Sequence, residues 1–500
     1  MIETAIPTTD PTDWGNKPGD GPLRVGGQEG GVPLADSQLP STRSPASDAQ
    51  QSGVVLCRDL WRGTEVVRAA QQAYLPKAPG EKPGNYRSRL ARSVFHNFFR
   101  RTVEGLTGLV FARDPVLSED VPAQIVTHWE NIDYEGTHGD VFCRDTLADG
   151  ITVGHAAILV DYPKTGGNLR RDQEQAMGVR PYWLMVRKED IMSWRTEAVN
   201  GGRMLTQVVL RERRWVPKGA FGEVLQERYR VFYRSPEGVV GFWLLEVTDQ
   251  RKVIMVDEGT YPTQVEIPIA EVATSGSTGL FESDPPLWDL AFLNVAHYQQ
   301  WSDYATSIHM TCVPIWVTIG MQQSETEVIL GPNSGVNIPD PQGDAKYVSH
   351  DGASLGSCKA ALDDLKSDMA TLGLAMLAPQ KRIAETAEAK RLDKSTTDSS
   401  LAVAARALQD AIEKALGFHA RYLGLPDGGS VEINREFERL LLDAPVMQAF
   451  AQLVEAGFPT YPVLEALQRG GRIPADMDLD VLNVMWMMGR ELDKQLPAET

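Results

Sequence analysis

The stretch SDPPLWDLAFLNVAHYQQWSDYATSIHM, which begins at Ser283, constrains the fold more than any other part of the chain. Ser283 or Asp284 can cap a helix here, and Pro285 or Pro286 fits its first turn. A helix over residues 285–310 would be about 39 Å long. Its first half is apolar on nearly all sides, so other parts of the protein must enclose it.

A second long helix is predicted from Leu355 onward. Its apolar residues recur at alternating spacings of three and four, which is the spacing of a heptad seam. They are Leu355, Cys358, Leu362, Leu365, Met369, Leu372 and Met376. Before this helix, VPIWVTIG and AKYVSH have the composition of short strands. We therefore expect a small β-containing lobe over residues 313–350, between two long helices.

A basic stretch follows the second helix. Its cationic residues are Lys381, Arg382, Lys390, Arg391 and Lys394. Five positive and three negative residues leave a net charge of +2 over residues 381–394, within a chain whose net charge is −18. One interpretation is a solvated loop. The other is a segment that approaches a polyanion.

A third long helix is predicted over residues 399–430. Its apolar face consists of Leu401, Ala405, Leu408, Ile412, Ala415 and Leu416. Asp410 and Lys414 are expected to pair across one turn on the exposed side. Short helices are predicted after it, over residues 437–442, 445–456, 461–468 and 479–492.

The remaining sequence is typical of an α+β protein. Helices are predicted over residues 59–74 and 86–111, and a buried strand over residues 156–162. Strand-like runs such as PYWLMVR, LTQVVLRERRWV and ERYRVFYR follow up to residue 269, separated by turns such as NGG and PEG, which favours antiparallel pairing. Alternating βα units are absent. Residues 1–52 are rich in Gly, Pro and Ser, and we expect them to form a flexible tail.

Composition narrows the class of function. A chain of 500 residues is expected to form two to four subdomains. The strong negative charge disfavours a general nucleic-acid binder, because phosphate contacts supply most of that affinity.

The four cysteines have no CxxC spacing and are expected to be free thiols. No signal peptide or membrane span is recognisable, so we expect a soluble cytoplasmic protein without a membrane partner.

Motifs for catalysis or cofactor binding are weak. The dipeptide Gly-Lys is absent, which disfavours a P-loop motor, and the histidines have no zinc-like spacing. We expect no cofactor and no metal, and we expect His297 to be a packed or polar-paired residue.

GASLG fits the G-x-S-x-G pattern of a nucleophile elbow, with Ser354 as nucleophile and His419 as base. The alternative is a glycine-bounded turn in which Ser354 caps the next helix.

The order of these elements resembles that of the portal proteins of tailed bacteriophages. Stretches such as RTVEGLTGLVFARDP, PPLWDLAFLNVAHYQQWSDY, GPNSGVNIPDP and ETAEAKRLDKSTTDSSL are similar to one portal group, catalogued as a phage-related domain of unknown function. The resemblance spans roughly residues 57–490, and residues 1–52 lie outside it. An alternative is another phage head or adaptor protein that assembles into rings without gripping DNA.

The resemblance implies a portal-like division of the chain. Residues 53–280 would form a mixed α/β wing, 281–312 and 351–377 two stem helices, and 313–350 a small α/β clip between them. Residues 378–398 would form a tunnel loop, 399–430 a long wing helix and 431–500 a helical crown. The five cationic residues of the basic stretch would then face a DNA channel.

The resemblance also implies partners and a location. The implied assembly is a dodecameric ring of identical subunits with double-stranded DNA in its channel. The other implied partners are the large terminase, a tail adaptor or connector, and the major capsid and scaffolding proteins. The protein would be a structural component of the virion at one capsid vertex, assembled in the host cytoplasm. It would serve genome packaging, retention and ejection, and it would have no enzymatic activity.

Overall fold

The structure is a computed structural model that describes residues 35–164, 173, 177–199, 202–312, 315–319, 342, 344–348, 353–375, 399–435, 460–469 and 477–484. The chain divides into two compact units, Met1–Ile433 and Asn434–Thr500. The first unit contains the sheets and the long helices.

Helices form the first part of the chain. They are α1 (Pro45–Ala49), α2 (Gln51–Arg62), α3 (Thr64–Ala69), α4 (Pro83–Arg92), α5 (Phe98–Val110), α6 (Ala123–Trp129) and α7 (Gly139–Val153). The helix expected over residues 59–74 is broken at Gly63, whose φ of 89° ends α2. The helix expected over residues 86–111 is broken as well, because the side chain of Asn97 accepts a hydrogen bond from the backbone N–H of Arg100 and starts α5.

The prediction of a flexible tail up to residue 52 is corrected for its last part. Arg43 donates to the carbonyl of Glu189 over 2.6 Å, and the buried Ser47 hydroxyl donates to the carbonyl of Ile191 over 2.9 Å. These contacts attach α1 to the body of the first unit. Residues 1–34 lie outside the described residues.

A three-stranded antiparallel sheet lies at the centre of the first unit. Its strands are β2 (His155–Asp161), β3 (Tyr182–Arg187) and β9 (Ile269–Ala273), in the order β3-β2-β9. Every residue of β2 is buried, because α7 and the third long helix pack against this sheet. The buried strand predicted over residues 156–162 is therefore confirmed to within one residue.

A five-stranded antiparallel meander lies beside the central sheet. Its strands are β4 (Ile191–Val199), β5 (Gly202–Lys218), β6 (Gly222–Arg234), β7 (Val240–Val247) and β8 (Val253–Thr260), paired in sequence order. One apolar core cluster includes Leu159 of β2, Val208 of β5, Phe232 of β6 and Phe242 of β7. The two sheets thus share a core, and the predicted antiparallel α+β class is confirmed.

Asp161, at the end of β2, connects the two sheets through hydrogen bonds. Its carboxylate accepts from Tyr182 on β3 over 3.1 Å, from Tyr261 over 2.7 Å and from the guanidinium of Arg230 on β6 over 2.7 Å. Asp161 is 2% exposed. A buried carboxylate needs such partners, and here they come from both sheets.

Long helices and two-stranded ladders complete the described chain. The helices are α8 (Trp288–Cys312), α9 (Ala353–Ala375), α10 (Ser400–Leu423) and α11 (Thr460–Arg469). The ladders pair β1 (Val116–Leu117) with β14 (Val431–Glu432), β10 (Ser277–Gly279) with β11 (Glu282–Ser283), and β12 (Ile315–Ile319) with β13 (Asp344–Val348). No helix among the described residues combines the length and apolarity needed to cross a membrane.

The second unit, Asn434–Thr500, is helical where it is described. Helix α11 matches the prediction for residues 461–468, and residues 479–484 are helical, as predicted. The helices predicted over 437–442 and 445–456 lie outside the described residues. The pairing of β14 with β1 places residues 431–432 in the first unit, and the second unit begins at Asn434.

Gly154 should be intolerant of substitution. Its φ is 107°, and an added Cβ would lie 2.6 Å from the carbonyl oxygen of Ser283. We expect Gly154→Ala to lower the free energy of unfolding by more than about 1 kcal/mol. The matched control is Gly105→Ala in α5, where an added Cβ meets nothing within 4 Å. That change should be neutral or stabilising by up to about 1 kcal/mol. Urea unfolding checks both, and equal midpoints for the two variants would contradict the prediction.

Candidate functional site

Helices α8 and α9 form a long helical hairpin with a β ladder at its end. The two helices pack against each other. Strand β12 follows α8 and pairs antiparallel with β13, which precedes α9, with Ile315 opposite Val348. The end of α8 and the start of α9 therefore lie at the same end of the ladder, and the packed helices run antiparallel. The predicted order of helix, small β lobe and helix is confirmed.

Helix α8 is anchored at its base by buried polar residues. Asn294 accepts from the backbone N–H of Phe99 over 3.0 Å and donates to the carbonyl of His96 over 2.8 Å. Ser302 accepts from the hydroxyl of Ser93 over 2.7 Å. These bonds join α8 to the segment between α4 and α5. The expected enclosure of α8 is largely confirmed, although Phe292 is 57% exposed.

Helix α9 is less enclosed than its apolar spacing indicates. Of the predicted seam, Leu362 and Met369 are buried, whereas Cys358 is exposed. Gly373 allows a close approach to α5, because a Cβ there would lie 2.9 Å from the Cγ2 of Thr102. Most other described side chains of α9 face solvent in the single chain. The full heptad seam is therefore not used within one subunit.

His297 packs in a small aromatic cluster, as the sequence predicts. It is fully buried, with His96 at 5.6 Å and Phe98 at 5.3 Å between ring centroids, and Trp301 parallel to it at 6.5 Å. Burial lowers the pKa of His297 to about 4. Neither ring nitrogen has a hydrogen-bond partner among the described residues. No group of three or more metal-ligating side chains occurs in the described part of the chain.

The predicted DNA-contacting residues follow directly from α9. Lys381, Arg382, Lys390, Arg391 and Lys394 all lie outside the described residues, in the stretch 376–398. The described helices fix the two ends of this stretch, at Ala375 and Ser399. Ser399 caps α10 by accepting from the backbone N–H of Ala402 over 3.2 Å.

Helix α10 attaches the end of the basic stretch to the core. Its predicted apolar face is confirmed, since all six of its residues are buried. Gly424 ends the helix with a φ of 66°. The expected pairing of Lys414 with Asp410 is not observed, because Lys414 and Arg421 instead lie 3.7 Å and 3.1 Å from the carboxylate of Glu266.

A chain of hydrogen bonds links α10 to α6 and β3. The indole N–H of Trp183 donates to Nδ1 of His419 over 3.2 Å, and Nε2 of His419 lies 2.9 Å from Nδ1 of His128. An indole only donates, so Nδ1 of His419 accepts and its Nε2 carries the hydrogen that His128 receives. Burial lowers the pKa of His419 to about 3 and that of His128 to about 4.

This arrangement argues against the serine hydrolase alternative. Both ring nitrogens of His419 are already engaged, so neither is free to act as a general base. Ser354 is the second residue of α9, and the ladder before it is a two-stranded antiparallel pair rather than a parallel sheet. The nucleophile elbow requires a strand of such a sheet. The alternative, in which Ser354 caps the helix from a glycine-bounded turn, is not observed either, because Ser354 and Gly356 lie within the first turn of α9.

A buried ion cluster, which the sequence does not reveal, stabilises the region beneath α8. Arg58 on α2 binds both carboxylate oxygens of Asp149 on α7, at 2.6 and 2.7 Å, and binds Glu189 at 2.9 Å. Lys188 donates to the carbonyls of Val153 and Ser283. The carboxylates of Asp149 and Glu189 are paired with Arg58, although Nε of Arg58 has no hydrogen-bond partner among the described residues. This pairing indicates a structural role. Only the fold brings residues so far apart in sequence together.

A family match covers part of the chain. The model of the family described as "Domain of unknown function (DUF4055)" matches residues 286–423. The matched residues include α8, the β12–β13 ladder, α9, the basic stretch and α10. This match lies within the span of the resemblance drawn from the sequence, which also named a domain of unknown function. No curated protein matches.

Solved structures with some likeness come from gene transfer agent particles. A chain of "Virion of native gene transfer agent (GTA) particle" is 13% identical, and the match covers 80% of this chain and 98% of that chain. Chains of "Neck of empty GTA particle computed with C6 symmetry" and "Neck of native GTA particle computed with C12 symmetry" are 13% and 12% identical. The matches cover 73% and 78% of this chain and 87% and 94% of those chains. All three TM-scores are 0.36, too low to carry an argument.

The two linked histidines should make the fold sensitive to acid. Their pKa values are lowered in the folded protein, so the unfolded state takes up protons first as the pH falls below about 6.5. Their contribution is present above that pH and is lost as the pH falls toward about 4 for His128 and about 3 for His419. Each adds a slope of up to about 1.4 kcal/mol per pH unit to the free energy of unfolding.

We expect the double variant His128→Gln/His419→Gln to be less stable at neutral pH but to lose less stability between pH 6.5 and 4 than the parent protein. Urea unfolding at a series of pH values measures this slope. The matched control is His309→Gln, at an exposed position on α8. An unchanged slope in the double variant would contradict the assignment.

Proposed function

We propose that this protein is a portal-type channel protein of a tailed-phage-like particle. It would form a ring at one capsid vertex through which double-stranded DNA is packaged, retained and ejected. The observation that carries the proposal is the continuous run of α8, the β12–β13 ladder, α9, the basic stretch and α10. A long helical hairpin and a core-anchored helix thus bracket a segment whose charge is opposite to that of the chain.

The proposal assigns a role to each part. Residues 53–280 form the wing, 281–312 and 351–377 the stem, and 313–350 the clip. Residues 378–398 form the tunnel loop, 399–430 a long wing helix, and the crown follows from residue 434. The clip, at the far end of the helical hairpin, would meet the large terminase during packaging and a tail adaptor afterwards. The wing would meet the capsid and scaffolding proteins.

Exposure of the helical hairpin supports assembly into a ring. Phe292 on α8 is 57% exposed and Leu374 near the end of α9 is 64% exposed. The unused part of the α9 seam adds to this surface. Apolar side chains on long projecting helices favour coverage by a neighbouring copy. A ring provides such a neighbour on both sides of every subunit.

The charge distribution supports a guiding rather than a gripping contact with DNA. The basic stretch has a net charge of +2 over residues 381–394, whereas the whole chain has −18. Repeated around a ring, the cations would form a positive collar within a negative channel. Each phosphate contact is weak and screened by salt, so DNA could be held briefly and still advance.

We expect the purified protein to form a ring of about twelve copies, because its exposed helical hairpin needs neighbours. Phe292→Ser together with Leu374→Ser should shift the population toward the 55.1 kDa monomer without loss of fold. Val265→Ser, at a position that is 60% exposed in the wing, is the control. Multi-angle light scattering and native mass spectrometry measure the mass. A parent protein that stays monomeric at micromolar and higher concentrations, at low and high salt, would rule out the ring.

We expect Lys390→Ala/Arg391→Ala/Lys394→Ala to assemble like the parent but to lower packaged or retained DNA at least about twofold, since phosphate contacts are lost. The charge-matched control is Lys77→Ala/Lys82→Ala/Arg87→Ala, on exposed positions in and before α4. Nuclease-protected DNA per particle is the measurement. Parent levels of DNA in the collar variant would show that the stretch is only a solvated loop.

A further inference from the structure

The hairpin of β5 and β6 extends beyond the meander as a two-stranded ribbon. Strand β4 pairs with β5 only as far as Leu210, and β7 pairs with β6 only as far as Tyr229. From Glu212 opposite Arg228 to Lys218 opposite Gly222, the two strands pair only with each other among the described strands. We call residues 212–228 the arm. Seven pairs of residues make it about 23 Å long.

The arm exposes large apolar side chains on both faces and at its tip. Trp215 and Leu225 are direct cross-strand neighbours and are 62% and 45% exposed. Val224, on the other face, is 41% exposed, and Phe221 in the turn is fully exposed. The turn itself is well defined, since Gly219 has a φ of 77°.

An arm of this kind needs a partner. A two-stranded hairpin is marginally stable in water without further strands or a helix packed on it. Clustered exposed apolar side chains mark interaction surfaces. Within the part of the chain that the structure describes, no residue covers these side chains. The described side-chain contacts between the arm and the rest of the chain lie at its base, where Arg213 binds Asp190 and Gln226 binds Glu246.

The opposite end of the meander provides a surface of matching character. Strand β8 pairs with β7 on one side, and no described strand pairs with its other side. Ile254 and Val256, two residues apart on its solvent-facing side, are 45% and 41% exposed. Lys164 donates a hydrogen bond to the carbonyl of Glu258, so the part of the β8 edge that can accept another strand is residues 253–257. An apolar edge strand is a template for pairing with another chain.

We propose that the arm of one subunit docks along the free edge of β8 in a second copy of this chain. The arm brings Trp215 and Leu225, which share one face, to the exposed Ile254 and Val256. Its cations Arg214 and Lys218 have the opposite sign to Glu258 at the end of the edge. The arm and the outer edge of β8 have no further strand partner among the described residues, and both gain backbone partners in this way.

The geometry of the contact matches a ring. The arm and the β8 edge are different surfaces of one subunit, so the contact between copies is head-to-tail. Head-to-tail contacts form a ring when the rotation between neighbouring copies closes and an open filament when it does not, whereas an arm-to-arm contact would give only twofold dimers. This inference rests on the proposed ring function and assigns one of its subunit contacts.

Photo-cross-linking tests the contact in the assembled protein. A benzophenone amino acid replaces Phe221, and isotopically heavy and light copies are mixed before irradiation. We expect heavy–light products whose cross-linked peptides contain residues 253–260. The same photoreactive residue at Val265, which is also exposed, is the control and should give no such product. Products that join only two arm peptides, or no heavy–light product in an intact oligomer, would overturn the contact.

Substitution provides the second readout. Trp215→Ser/Leu225→Ser and Ile254→Lys/Val256→Lys should each raise the protein concentration at half-dissociation at least about tenfold. All four positions are exposed, so the far-ultraviolet circular dichroism and the urea unfolding midpoint should match those of the parent. Parent-like assembly of both variants would refute the docking and leave the ring proposal intact. A parent protein that is monomeric under all conditions would refute both, and light scattering separates these cases.

Discussion

The carboxylate of Asp161 is the interaction on which the body of this protein depends. It ends the fully buried strand β2 and receives hydrogen bonds from Tyr182, Tyr261 and Arg230, so one side chain connects the central sheet to the meander. Arg230 also binds Glu212 at 2.6 Å, at the base of the arm. Without Asp161, the largely buried guanidinium of Arg230 would lose its carboxylate partner on the other sheet. Leaving a buried charge without that partner is costly in a low-dielectric interior. The position of the arm therefore depends on the same network as the core.

Local patterns in the sequence predicted most of the secondary structure. The apolar face of α10 and the buried strand β2 follow from the sequence pattern alone, because the apolar residues of each are buried along its length. The breaks at Gly63 and Asn97 were missed, since each depends on one residue inside an otherwise helical pattern. The packing of residues 35–50 was missed as well, because its polar contacts join Arg43 and Ser47 to strand β4 and the turn before it.

The candidate site was predictable in part. Helices α8, α9 and α10 were expected in their order and approximate bounds, and the charge of the basic stretch is a property of composition. The sequence does not show that Cys358 is exposed while Leu362 is buried, because a heptad pattern does not distinguish contacts within a subunit from contacts between subunits. The pairing of His419 with His128 and Trp183 was equally hidden, since only the fold brings residues of α6, β3 and α10 together.

The anchoring of α8 has a mechanical consequence. Asn294 and Ser302 bind the base of the helix to the residues around α4 and α5, whereas beyond Ser302 the described part of α8 makes no such hydrogen bond to another element. The helical hairpin is thus held by hydrogen bonds at its core end, and a force on the β12–β13 end would act on it as on a lever. A sideways force on that end would produce its greatest bending moment where α8 is anchored, which is at its contacts with residues 93–99. Strain from an object that pushes on the tip would be felt first in that short connecting segment and at Gly373, where α9 lies against α5.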